Sequence, residues 1–284
     1  MSTSIYGDHM RRSATLIGIS AIAVLASGCS SGSVGQATSA ASSPAPAVDA
    51  GREVQAAVDT TKQSTARIDD RIRVAGMGQD FTTTVKGSFD MKADHGRLRV
   101  SLAQTGTSSD AAVPLDEIFH GSTVYFRMPE ETNGDTGWRS TSRDKAEVHA
   151  LLRAPLNDPE FVLRQVSMAH SLTVVGEQKV NGVAARHYTG KLNHKPLLLR
   201  MVKERREKVE EPMVKIGDRL PATADVWVTK DGLITRILLV CELGGMKVSS
   251  TMNLTDMGKP VTVASPPKGA QAVPAASVGG PLVG

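Results

Sequence analysis

The side chains that most often carry out enzyme chemistry are present in this sequence without the spacing that such chemistry requires. None of the seven histidines lies in an HExxH pattern or at the spacing of a zinc-binding pair. No GxSxG turn is present to expose a serine nucleophile. Gly76 and Gly78 match the first two glycines of a dinucleotide-binding loop, but Phe81 stands in place of the third. The sequence therefore predicts no catalytic residues, no metal site and no cofactor.

The first cysteine, Cys29, ends a short segment with the pattern of an export signal. Arg11 and Arg12 precede the apolar run 14–25, and Ala26-Ser27-Gly28 leads from that run to the cysteine. A basic segment, a short apolar run and a small-residue site are typical of a secretory signal peptide. The run of 12 residues is too short for a membrane-spanning helix, which needs roughly 20.

The residues around this cysteine also predict a covalent modification. Ala-Ser-Gly-Cys resembles a bacterial lipobox, in which the cysteine thiol receives diacylglycerol and becomes the first residue. Two acyl chains hold a protein on a bilayer far more stably than one chain does. We therefore predict a signal peptide over 1–28 and lipidation of Cys29. The predicted location is the outer face of the cytoplasmic membrane.

The second cysteine and the charge balance exclude several classes of protein. Two cysteines are too few for a disulfide scaffold, and Cys241, in the apolar run 237–243, is predicted to be a buried, unreactive thiol. The 33 basic and 29 acidic residues are interspersed, whereas nucleic-acid binders concentrate positive charge on one face. No nucleic-acid partner is therefore expected. The small positive excess suits an anionic membrane surface.

The composition divides the chain into a domain with two tails. Residues 29–50 are rich in Ser, Ala, Gly and Pro and predict a flexible tether. Residues 266–284 have a similar composition and predict a disordered tail. The intervening residues, 51–265, are enough for one substantial core, and no second linker interrupts them.

Strand and helix patterns alternate along this predicted domain. Thr83, Val85, Gly87, Phe89 and Met91 recur with period two and predict one face of a strand. Turn signals at 94–96, 181–182, 231–232 and 244–245 join further alternating stretches into hairpins. Helices are predicted over 52–66, 144–153, 158–168 and 196–211, the last ending at Pro212.

This order of elements predicts an α+β fold. Most of the strands follow one another through short turns and must therefore pair antiparallel. A long curved sheet, a half-barrel with helices against its concave face, accommodates both kinds of element. The helices would then cover an apolar sheet face.

Two stretches of the sequence resemble a known group of proteins. They are Asn181–Gly190 (NGVAARHYTG) and Leu220–Val228 (LPATADVWV), the latter followed by Asp231-Gly232. Together with the lipobox and the strand order, they resemble LolA/LppX-type lipoproteins, including the LppX- and LprG-like lipoproteins of actinobacteria, over roughly 51–258. The resemblance implies a half-barrel sheet, helices over its opening and an apolar cavity between them. It also implies a lipid, glycolipid or acyl-chain cargo, and it carries no catalytic residues.

The apolar face of the predicted sheet can serve two purposes. Its residues either pack against the helices or line a hollow that takes acyl chains, and the sequence leaves both open. A hollow of that kind binds by the apolar area that it removes from water and needs few polar contacts. The ligand-cavity candidates are Val85, Phe89, Leu98, Val100, Leu102, Val124, Phe126, Val226 and Val228.

Two functional hypotheses follow. In the first, the chain is a membrane-anchored exported lipoprotein that binds an amphiphilic lipid or acyl chains, shielding or transferring them in the cell envelope without chemistry. In the second, the same fold is a non-enzymatic sensor or interaction module that recognises a partner protein. An apolar hollow of several hundred Å³ favours the first hypothesis. A filled interface with an exposed apolar patch favours the second.

Overall fold

A single large sheet organises the chain. The computed structural model describes residues 49–104, 113–127, 137–262 and 265–284. Cys29, the predicted signal peptide over 1–28 and most of the predicted tether lie outside the described residues. No helix in the described part of the chain is both long and apolar enough to cross a bilayer.

The described helices and strands alternate much as the sequence predicts. The helices are α1 (Ala50–Thr61), α2 (Pro159–Ser167), α3 (His194–Leu198) and α4 (Lys203–Ile216). The strands are β1 (Thr65–Gly76), β2 (Gln79–Asp90), β3 (His95–Gln104), β4 (Val113–His120), β5 (Thr123–Arg127), β6 (Arg139–Ser142), β7 (His170–Val180), β8 (Val183–Lys191), β9 (Ala222–Thr229), β10 (Ile234–Leu243), β11 (Met246–Thr255) and β12 (Gln271–Ala272).

All of these strands belong to one sheet. Its order is β12-β6-β5-β4-β3-β2-β1-β11-β10-β9-β8-β7, so β12 and β7 are the edges. The pairs are antiparallel except for the short parallel pair of β12 with β6. The predicted α+β class and mostly antiparallel sheet are therefore confirmed.

One face of the sheet carries the core and the other faces solvent. In β1, Ile68, Ile72 and Val74 are buried while Arg67 and Arg71 are exposed. This alternation is the pattern of an antiparallel sheet covered on one side. The helix α1 lies over this covered face, in contact with β7, β9, β10 and α2.

The predicted turns and the start of α1 show how local sequence sets these elements. Asn181 and Gly182 join β7 to β8, both with positive φ as a two-residue hairpin turn requires. Asp49 caps α1 by accepting a hydrogen bond from the Arg52 amide at 3.1 Å. Val54 and Val58 bury one face of the helix. The helix therefore begins at Ala50, inside the predicted tether.

Two helix predictions need correction. Residues 144–153 form no α-helix: a 3-10 turn covers Arg143–Lys145, and the chain then runs irregularly. The helix predicted over 196–211 is two helices, α3 and α4, with residues 199–202 between them, and Pro212 does not end it because α4 continues to Ile216. α4 exposes nearly all of its surface and buries Met213. Its position over the core is therefore fixed by few contacts.

The predicted disordered tail also needs correction. Residues 271–272 pair with β6, and Val278, Leu282 and Val283 are buried in the main core. The apolar residues near residue 284 are few, but these three are covered by the body of the domain. The core therefore includes a segment beyond the predicted boundary at 265.

Candidate functional site

The nine predicted cavity residues lie together on the covered face of the sheet. Eight of them are at most 7 % exposed, and Leu102 is half-buried against the same cluster. The sheet therefore brings these side chains into one apolar surface, as the alternation predicts. They are Val85, Phe89, Leu98, Val100, Leu102, Val124, Phe126, Val226 and Val228.

The space above these residues is largely filled by other parts of the chain. Three segments contribute buried side chains to the same apolar cluster: α1, α2 and the segment 278–284. Phe89 and Phe119 pack edge to face, with ring centroids 5.1 Å apart. Most of the nine residues therefore contact protein, and their role as ligand contacts stays a prediction. The filling side chains include Val54, Ala57, Val58, Phe161, Leu163, Val166, Val278, Leu282 and Val283.

An open apolar groove lies at the β7 end of the sheet, beside α1. It consists of two adjoining recesses of about 600 and 740 Å³, which share Glu177 and Arg186 in their walls. We call these two recesses the hairpin groove, because the β7–β8 hairpin forms one side of it. Its apolar lining residues are Ala50, Ala56, Ala57, Leu172, Val174, Val183, Ala184 and Val228. Val228 thus connects the predicted set to this groove.

A polar cluster marks the junction of the two recesses. Arg186 Nε donates to Glu177 Oε1 at 2.9 Å, and its Nη1 lies 3.5 Å from Glu53 Oε2. The Tyr188 hydroxyl donates to the same Glu53 oxygen. Burial raises the pKa of Tyr188 to about 12, and the hydrogen bond to Glu53 adds to the shift. The groove therefore combines apolar walls with charged groups at one place, which suits an amphiphile.

The hairpin that forms the groove is unusually exposed. β7 is an edge strand, and Val174 and Val175 are 43 % and 52 % exposed. Val183, at the start of β8, is 48 % exposed. Large apolar side chains at a sheet edge are a typical feature of binding surfaces.

A second, polar recess of about 290 Å³ has a structural explanation. Arg143 in its wall donates to both oxygens of Asp158, at 2.7 and 2.9 Å, and to Asp94. Burial raises the pKa of Glu160 to about 7, against the opposing charge of Arg143. The arginine thus joins the start of α2 to the β2–β3 turn. We assign this recess to stability.

The described residues offer little for catalysis. No group of three or more His, Cys, Asp or Glu side chains within the described ranges is placed to hold a metal. Cys241 is a free, buried thiol, and burial raises its pKa to about 11. Since the thiolate is the nucleophilic form, this cysteine is poorly reactive near neutral pH.

The sequence analysis did not find the polar cluster of the hairpin groove. Glu53 belongs to α1, whereas Arg186 and Tyr188 belong to β8, more than 130 residues away. The Asn181-Gly182 turn predicted the hairpin, and its valines predicted an apolar surface. No local pattern indicates that α1 packs beside this hairpin.

Comparison with known proteins shows the fold alone. No family model matches the chain, and no curated protein does. Among solved structures, the chain is similar to LprF from Mycobacterium bovis, with 12 % identity and a TM-score of 0.44, over 76 % of this chain and 96 % of that one. It is similar to the lipoprotein LppX of Mycobacterium tuberculosis, with 14 % identity and a TM-score of 0.40, over 75 % and 97 %.

A third similar structure is a lipoprotein-sorting domain. It is a putative outer membrane lipoprotein-sorting protein domain from Vibrio parahaemolyticus, with 11 % identity and a TM-score of 0.30, over 74 % of this chain and 92 % of that one. The expected resemblance to LolA/LppX-type proteins is thus confirmed as a structural similarity at low sequence identity.

Proposed function

We propose that the chain is an exported lipoprotein, held by a lipid on Cys29 at the outer face of the cytoplasmic membrane. Its domain binds an amphiphilic lipid or acyl chains and shields or transfers them within the envelope. It performs no chemical reaction on its cargo. The observation that carries this proposal is the hairpin groove, whose apolar walls are open to solvent beside a charged cluster.

The dimensions of the groove support binding of an acyl chain. Recesses of about 600 and 740 Å³ fall in the range of small-molecule sites. Each methylene removed from water contributes about 0.8 kcal/mol, so ten buried methylenes give about 8 kcal/mol before the cost of ordering the chain. The paired charges of Arg186, Glu177 and Glu53 offer polar contacts to the head of an amphiphile. The apolar area of the groove is therefore the main source of the proposed affinity, and the polar cluster adds to it.

Single valine substitutions test the groove. Val174→Asp and Val183→Asp place a carboxylate in its apolar lining, and we expect binding of a fluorescent fatty acid to weaken at least tenfold. Val175→Asp is the matched control, because this neighbouring valine is equally exposed but is not among the lining residues. Equal affinity for all three variants and the parent in a fluorescence titration would contradict binding in this groove.

The anchor has its own test. We expect Cys29→Ala to move the protein from the membrane fraction to the soluble exported fraction, because it removes the acceptor of the diacylglycerol. Immunoblots of separated fractions measure this change, with Cys241→Ala as the control that keeps the predicted anchor. Full retention of the Cys29→Ala protein in the membrane fraction would place the anchor elsewhere.

An interaction module is the second candidate, and the exposed edge strand favours it. β7 presents an unpaired edge together with Val174 and Val175, features that can receive a strand from a partner protein. A photo-reactive residue at position 174 separates the two candidates in living cells. Cross-links to lipid support carriage, whereas cross-links to a single protein support the module.

A further inference from the structure

The segment 278–284, which we call the C-terminal plug, covers a polar cluster in the middle of the apolar sheet face. The cluster contains Asp70 from β1, Thr83 from β2 and Glu117 from β4, with Arg153 and Asn157 from the irregular stretch before α2. All five are at most 7 % exposed. A polar cluster is unusual in this position, because a sheet face covered by protein usually carries apolar side chains.

The plug meets the domain through its backbone carbonyl oxygens. The carbonyl of Pro281 accepts from Arg153 Nη2 at 3.0 Å and from Thr83 Oγ1 at 3.2 Å. The carbonyl of Leu282 accepts from Asn157 Nδ2 at 2.7 Å. The carbonyl of Val283 accepts from the Leu156 amide at 2.8 Å. The domain therefore presents a row of donors to successive carbonyl groups.

Two amides of the plug are used within the plug itself, and the carbonyl of Gly284 accepts from the His149 amide at 3.3 Å. The amides of Val283 and Gly284 both donate to the carbonyl of Gly280, at 3.1 and 3.0 Å. Gly280 has a φ of 114°, a conformation that favours glycine. The side chains of Val278, Leu282 and Val283 fill the adjoining apolar space. The plug thus offers the domain carbonyl oxygens flanked by apolar groups.

One acceptor in the cluster is left without a partner. Glu117 Oε1 accepts from Asn157, but Glu117 Oε2 has no hydrogen-bond partner among the described residues although it is completely buried. Burial raises the pKa of Glu117 well above its ordinary value, so the neutral carboxyl is favoured. A protonated Oε2 is a further donor, and it also suits a carbonyl oxygen. An orphaned buried group of this kind is expected where a ligand completes the network.

We propose that this cluster is a second ligand subsite, that it binds the ester carbonyls of an acyl-ester lipid, and that the C-terminal plug occupies it in the free protein. The donors of Arg153, Asn157 and Thr83 then bind the ester oxygens, and acyl chains replace the apolar side chains of the plug. The subsite lies over β1, β2 and β4 in the middle of the sheet, whereas the hairpin groove lies at the β7 end. This inference rests on the proposed function, because it takes the cargo to be a lipid.

The lack of regular secondary structure in the plug is consistent with its displacement. Upstream, β12 contributes two residues of parallel pairing with β6, and no other strand of the described sheet follows β11. The plug itself contains three glycines and no regular helix or strand. Displacement therefore breaks the carbonyl hydrogen bonds and apolar contacts of the plug without unfolding a helix or strand, a local opening that costs less than global unfolding.

Hydrogen exchange on the full chain tests the displacement directly. The probe is dioctanoyl phosphatidylglycerol below its micellar concentration, and its dialkyl ether analogue, which lacks both carbonyl oxygens, is the matched ligand control. We expect saturating ester to raise amide exchange in 278–284 at least tenfold, and the ether to bind about tenfold more weakly. Unchanged protection of 278–284 with ester bound would overturn the inference while leaving the proposed function intact.

Variants provide an independent test. The double substitution Leu282→Ser and Val283→Ser loosens the plug, and we expect it to bind the ester at least tenfold more tightly. Ala276→Ser, at an exposed position before the plug, is the control and leaves binding unchanged. Adding Thr83→Val to the loosened chain removes one donor and lowers ester affinity about fivefold without changing ether affinity. Equal losses for both lipids would show a merely structural role. If neither the parent nor the loosened chain binds lipid, the proposed function fails as well.

Discussion

At the scale of single residues, the buried carboxylate of Asp70 links stability to pH. Burial raises its pKa from 3.8 to about 6, against the opposing effects of its hydrogen bond from Ser250 and the charge of Arg153. The folded protein therefore binds this proton more tightly than the unfolded chain does. Between these two pKa values the folded state holds more protons, so stability falls as pH rises through this window.

Asp70→Asn is expected to remove this contribution. A pKa raised by about two units corresponds to about 3 kcal/mol of unfolding free energy lost between about pH 4 and pH 7, and the variant should show a correspondingly flatter profile. Urea denaturation at a series of pH values measures the slope. Asp69→Asn is the control, since Asp69 is exposed and pairs with Lys86 at 3.6 Å. Parallel profiles for Asp70→Asn and the parent would contradict this account.

Single residues also show that the sequence predicts which face of the sheet a side chain lies on but not what covers that face. Alternation placed all nine cavity candidates on the covered face, because side-chain direction in a strand follows from position alone. It could not decide between packing and a hollow, because that depends on which distant segments cover the face. Here the covering segments include 278–284, which belongs to the Ala-, Gly- and Pro-rich stretch 266–284 whose composition predicts disorder.

At the scale of elements, β1 is the strand that the sequence analysis missed. Its buried positions alternate with Arg67, Asp69, Arg71 and Arg73, and the buried set itself contains Asp70. Five charged residues within Arg67–Arg73 conceal the period of two from a search for apolar residues. Pairing with β2 and β11 on either side nevertheless satisfies its whole backbone. Tertiary pairing therefore outweighs composition in this strand.

Glycine substitutions test the packing of elements in two directions. A Cβ at Gly96 would lie 2.2 Å from Cδ2 of the buried ring of Phe89, so we expect Gly96→Ala to destabilise the fold by about 2–3 kcal/mol. At exposed Gly51 in α1 a Cβ meets only ordinary contacts, and Gly51→Ala should stabilise the helix by up to about 1 kcal/mol. The midpoints of urea denaturation show whether each variant is less or more stable than the parent. A neutral Gly96→Ala would show that Phe89 can move aside.

At the scale of the whole molecule, the sheet builds two different environments on one face. Its centre is covered by α2 and the C-terminal plug, and its β7 end is left open beside α1. A sheet face whose centre is filled by protein favours an interaction module, whereas an open apolar groove favours lipid binding. The groove and the polar cluster under the plug together support an amphiphilic cargo.

The central claim, that the protein carries a lipid, is tested most directly by native mass spectrometry. The sample is the Cys29→Ala chain recovered from the soluble exported fraction of its own cells, and it keeps residues up to 284 because the C-terminal plug belongs to the core. Without the covalent anchor, any added mass is bound cargo. The account predicts a lipid at near-stoichiometric occupancy, strongly reduced by Val174→Asp and retained in Val175→Asp. Recovery of ligand-free protein alone under mild conditions would contradict it.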